Sequence, residues 1–111
     1  MSFSHILAEI GDERVRQVLA EGYDLRHDDS HIHGELARHA AVLAIYAGLP
    51  ELDRNHAVNF GPMHYGAHTI WPWVDYEFRL TKPRRDLVKA AALIVAEIER
   101  LDRAELRKDA A

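Results

Sequence analysis

The chain has 111 residues, 48% of them apolar and 29% charged, with a formal charge of −4 and no cysteine. Such a length holds one domain with a real core, and the balance is that of an ordinary globular protein. The acid excess argues against a general nucleic-acid binder, and the missing cysteines exclude disulfides, thiolate catalysis and zinc fingers. The start, MSFSHILAEIGDER, lacks the basic region and long apolar run of a signal peptide. No window reaches the roughly 18 apolar residues of a membrane span. The cytoplasm is therefore the expected compartment, with neither membrane nor nucleic acid as partner.

Phe3, Ile6, Leu7 and Ile10 share one helical face, and Val15, Val18 and Leu19 share another. The stripe shifts by roughly a third of a turn across Gly11–Asp12, at 100° per residue. This predicts either one kinked helix or a helix over 3–10 meeting a second over 13–21, with Asp12 as its cap. Gly22 is placed to end it.

Tyr23 to Gly34, YDLRHDDSHIHG, is the chemically densest segment. Asp29 or Ser30 can cap a predicted helix from His31 to Ala47, closed by Gly48 and Leu49–Pro50. Ile32, Leu36, Leu43 and Tyr46 form its expected buried stripe, with His39 as a hydrogen-bonded core histidine. His31 and Glu35, four residues apart, then share a face. His27, Asp28, Asp29, His31 and Glu35 have the ligand types of a divalent-metal site, and His64 and His68 could add a second pair. Alternatively, Asp28 and Asp29 only cap and screen the helix start. A third reading, a polar pocket lined through hydrogen bonds by Tyr23, His27, Asp28 and His31, is preferred, and no metal or cofactor is expected.

Residues 51–82 have the weakest periodicity. Leu52 to Val58 suits one or two helical turns, broken by Asn59-Phe60-Gly61-Pro62. Phe60, Tyr65, Trp71, Trp73, Tyr76 and Phe78 make disorder improbable there and suggest an ordered wall or lid over a pocket. Tyr76 to Leu80 alternates like a short strand.

The last stretch, Lys82 to Lys108, predicts one long helix. Pro83 suits its first position, and Leu87, Ala91, Ile94, Ile98 and Leu101 recur at spacings of four and three. Such a rod is about 35–40 Å long, more than a small domain needs, and its stripe suits pairing with a second copy of the chain. Lys82, Arg84 and Arg85 crowd the end where the helix dipole is already positive, with Lys89 one turn on. Free N–H groups and guanidinium forks describe an anion site, and Trp71-Pro72-Trp73 brings two flat rings near it in sequence. The alternative is that Arg84 and Arg85 are solvated and paired with Asp75 or Asp86, and that the tryptophans are core.

GELARHA, WPW and KPRRDLVKAAALIVAEIERLDR together resemble a small domain of phage and prophage proteins, of unassigned role, over about Glu13 to Arg103. That domain sometimes stands beside nucleotide-pyrophosphohydrolase-like domains, which implies a link to nucleotide metabolism or signalling. LAEIGDERVRQVLAEGYDLRHDDSHIHGEL is similar to the ryanodine-receptor repeat through Gly22-Tyr23, Asp28-Asp29 and a following histidine. Here His33 precedes Gly34 where that repeat has His-Pro, and the tryptophan of its first helix is missing. The resemblance implies a nucleotide-ligand module.

The paired acidic motifs of the all-α pyrophosphohydrolases are absent, as are GxSxG, P-loop and HExxH strings. The reading is thus a mainly α domain of three or four helices with a long last helix. It is expected to bind a phosphorylated, nucleotide-like ligand through Lys82, Arg84, Arg85, Lys89, Trp71, Trp73, Tyr23, His27, Asp28 and His31. A metal-dependent hydrolase is the second reading, and a self-associating helical protein without a small ligand is the third.

Overall fold

The computed structural model of the chain describes residues 2–74 and 78–110. Ser2 caps the first helix by accepting the His5 N–H at 3.1 Å, and α1 then runs Phe3–Ala20 in one piece. Gly11 neither breaks it nor marks a close approach, since a Cβ there would meet nothing within 4 Å. Gly22, at φ +76°, ends it, and the Tyr23 N–H turns back to the Gln17 carbonyl at 2.9 Å.

The expected helix from His31 to Ala47 begins only at Glu35, and a separate short helix stands before it in place of a loop. Asp24 caps the short helix by accepting the His27 N–H at 2.9 Å, giving α2, Leu25–Ser30. His31 then leaves the helical region, and Gly34 takes a left-handed φ of +80° before α3, Glu35–Ala47. A left-handed residue cannot sit inside a right-handed helix, so the glycine starts α3 rather than weakening it. Ile32, expected in the buried stripe, is 62% exposed, whereas Leu36, Leu43 and Tyr46 are buried.

Pro50 precedes α4, Glu51–Phe60, which Gly61 stops. A 3₁₀ turn at His64–Gly66 leads into the short α5, Ala67–Ile70. Of the segment expected as a strand, Tyr76 and Glu77 lie outside the described residues, and Phe78, Arg79 and Leu80 take no regular form. The last helix, α6, runs Pro83–Ala110. The three or four expected principal helices are α1, α3, α4 and α6, each of ten residues or more. Among the described residues no helix is long and apolar enough to cross a membrane.

The core is built on both sides of α3. Leu36, Ala40 and Leu43 pack against Ala90, Leu93 and Ala96 of α6. Val42 and Tyr46 pack against Ala57, Ala67 and Trp71, with Phe78 alongside. Small residues on both helices let α3 and α6 lie close, which selects the alanine-rich face of α6 for burial. The stripe expected to suit a second copy is on the other side: Leu87, Ile94, Ile98 and Leu101 are about half exposed. α1 likewise turns several of its apolar side chains outward. It buries Glu13 and Gln17 and exposes Leu7, Val15 and Leu19.

Polar anchors hold the start of α6. Asp86 is fully buried and accepts from Arg54 at 3.0 Å, from the Thr81 N–H at 3.0 Å and from the Thr81 hydroxyl at 2.5 Å. Arg54 also donates to the carbonyls of Tyr46 at 2.5 Å and Thr81 at 2.6 Å. One ion pair thus joins α3, α4 and the first turn of α6. Farther along, Arg103 and Arg107 both reach Asp29 on α2, so the end of α6 is tied to the fold.

Candidate functional site

A cavity of about 450 Å³ opens between α1, α2, α3, α6 and the segment after α5, within the range of small-molecule sites. Its apolar floor is Leu43 and Leu93. Its wall is aromatic. The Tyr23 and His27 rings stack with centroids 4.5 Å apart and planes 12° apart. His31 meets His27 edge-on at 4.5 Å and Trp73 at 4.9 Å. Trp73 in turn donates its indole N–H to Nδ1 of His39 at 3.1 Å.

Buried charge positions this wall. Asp28, fully buried, accepts from Arg14 Nη2 at 2.8 Å and pairs with His27 Nδ1 at 2.9 Å. Arg14 also donates to the Tyr23 carbonyl at 2.9 Å and to Glu99 on α6 at 3.0 Å. A carboxylate can only accept, so the Asp28 carboxylate calls for a proton on His27 Nδ1. His31 and Glu35 make a second pair at 3.2 Å across the turn between α2 and α3. The four residues thus close into two pairs. Among the described residues, no group of three or more acidic, histidine or cysteine side chains converges on a metal position.

The polar side of the cavity comes from α1 and α6. Glu13 and Gln17 on α1 and Glu21 at its C-terminal cap recur every four residues along one face. Gln17 donates to Glu13 at 3.1 Å and to the Lys89 carbonyl at 3.2 Å. Burial pushes the Glu13 carboxyl up, but Arg16, Arg85 and Gln17 outweigh it and hold the group below its ordinary value. Lys89 and Arg79 line the cavity without a salt bridge to any described residue.

The expected site residues divide into two groups. Tyr23, His27, Trp73 and Lys89 line the cavity, with Asp28 and His31 directly behind its wall. Lys82, Arg84, Arg85 and Trp71 do not line it. Arg84 is held by Glu9 at 2.8 Å and Arg85 by Glu13, rather than by Asp86, while Asp75 lies outside the described residues. With Asp86 in its first turn, the positive start of α6 is met by the chain's own carboxylates. Trp71 is buried in the aromatic half of the core.

Sequence reasoning missed Arg16, Gln17, Glu21, His39 and Arg79 as lining residues. The four-residue repeat of polar side chains on α1 was the available signal for two of them. His39 carries a second surprise. Burial first, and the nearby Lys89 charge second, push its pKa down to about 4, with Glu21 opposing. Its Nδ1 accepts the indole proton, so the neutral ring keeps its own proton on Nε2.

This has a measurable result. Unfolded, His39 titrates near 6.5; folded, it resists protonation until about pH 4. Between those values the unfolded state binds more protons, so stability falls as pH drops from 6.5. The expected loss is about 2–3 kcal/mol by pH 4, measured as the difference between the parent protein and His39→Gln in urea titrations. Equal pH slopes for the two proteins would remove the assignment.

No protein-family model, curated protein or solved structure matches the chain.

Proposed function

We propose that this protein binds a phosphorylated planar small molecule, of nucleotide type, in the cavity walled by Tyr23, His27 and Trp73. The observation that carries the reading is the pairing of an aromatic wall with Lys89 and Arg79, two cations that have no carboxylate partner among the described residues. A flat ring gains stacking area on such a wall, and a phosphate offers counter-charge to the two cations. The anion contacts expected at the start of α6 are thereby moved to Lys89 and Arg79, because Glu9 and Glu13 occupy Arg84 and Arg85. The resemblance to the phage-type domain and to the ryanodine-receptor repeat agrees with a sensing or sequestering role for a signalling nucleotide.

The test is mass spectrometry of small molecules released on denaturation, followed by titration calorimetry with a panel of nucleotides. Lys89→Ala should weaken binding by about 1.5–3 kcal/mol, while Arg84→Ala leaves it within about 0.5 kcal/mol. The opposite pattern would return the anion site to the helix start. No bound or titratable nucleotide would end the proposal.

A further inference from the structure

Most helices that are apolar all round lie buried, yet α6 is apolar all round in its middle and only half covered. Its alanine face meets α3, and Val88 and Ala92 are also buried. The opposite stripe is bare: Leu87 is 50%, Ile94 49%, Ile98 53% and Leu101 52% exposed. These positions and Ala91 follow the alternating four-and-three spacing of a coiled-coil seam, which needs a second helix to cover it.

We infer that the occupant is α6 of a second copy, packed antiparallel about Ile94. The argument is self-complementarity. Antiparallel pairing centred on Ile94 sets Leu87 against Leu101 of the second copy and gives the space above Ala91 to Ile98. It also lays Lys82, just before the helix start, beside Asp102 and Glu105 of the second copy. A parallel pair would oppose Ala91 to itself, leaving a void, and would oppose Glu105 to itself, like charge on like. The exposed parts of Leu87, Ile94, Val95, Ile98 and Leu101 amount to roughly 450 Å² per copy, about 900 Å² for the pair, and the flanking polar side chains bring the contact to the lower end of specific interfaces. Two-fold pairing is also the commonest closed arrangement of soluble chains. This inference is independent of what the cavity binds.

The absence of cysteine makes the geometry directly testable. Sedimentation velocity of the unaltered chain at micromolar concentration should give twice the 12.7 kDa chain mass. Ile94→Glu should give the single-chain mass with helical circular dichroism intact, because the side chain is half exposed. Under mild oxidation, Ile94→Cys should form a disulfide-linked dimer, since the two copies of that residue meet at the axis. Leu87→Cys should not, because antiparallel packing puts its two copies about 20 Å apart, beyond disulfide reach. A single-chain mass for the unaltered protein would leave the stripe to some other partner and overturn the pairing. Cross-linking through Leu87→Cys, with or without Ile94→Cys, would overturn the antiparallel arrangement.

Discussion

Asp86→Ala should lower the free energy of unfolding by about 3–5 kcal/mol, seen as a fall in the urea midpoint at unchanged slope. Asp86 is wholly buried, and Arg54, 7% exposed, has no other carboxylate partner among the described residues. Removing the acid leaves a guanidinium in the interior with only two carbonyls to satisfy it. The first turn of α6 also loses the acceptor for the Thr81 N–H and hydroxyl. Replacing both partners, as Arg54→Met with Asp86→Leu, should cost less than Asp86→Ala alone, because no unpaired charge remains. A loss below about 1 kcal/mol for Asp86→Ala would show that water reaches Arg54.

Asp28→Ala is the second large effect, about 2–4 kcal/mol by the same measurement, with a change at the cavity that Asp86→Ala does not produce. Asp28 fixes the His27 tautomer and one arm of Arg14, whose other arm holds the Tyr23 carbonyl. Arg14 keeps Glu99, so its charge is not abandoned and the loss stays below that for Asp86. Nitrogen NMR of the imidazole should show His27 moving from a fixed Nδ1–H form to a tautomer mixture. The adjacent Asp29 makes the control. It is paired with Arg103 and Arg107 at the surface, where salt weakens an ion pair, so Asp29→Ala should cost far less and leave the His27 signals in place. Equal effects of the two substitutions would contradict the burial of Asp28.

Much of the backbone was legible in the sequence. Pro83 opens α6, Gly22 closes α1, and Gly48-Leu49-Pro50 closes α3, because each acts through its own φ or missing donor. Gly34 was misread for the opposite reason. Its left-handed conformation is set by the turn out of α2, and a glycine looks the same in sequence whether it weakens a helix or precedes one. The buried faces of α1 and α6 were not legible because size alone does not decide burial. Ala90, Ala92 and Ala96 win the interior of α6 by allowing α3 to come close, and Glu13 wins the interior of α1 because Arg16 and Arg85 neutralise it. Of the candidate site, Tyr23, His27, Trp73 and Lys89 could be singled out by residue type. Arg79 and His39 could not, since only the packing of distant segments turns them toward the same cavity.

The dependence of α1 on α6 also bears on the order of events during synthesis. The buried carboxylate of Glu13 finds Arg85, and the Gln17 amide finds the Lys89 carbonyl, each 72 residues later in the chain. A ribosome makes the N-terminal helices first. Until α6 emerges, the inward face of α1 is therefore a row of hydrated polar groups, and its apolar side chains have no docking surface on α6. The contacts that seat α1 on α6 can therefore form only after the last helix has been made.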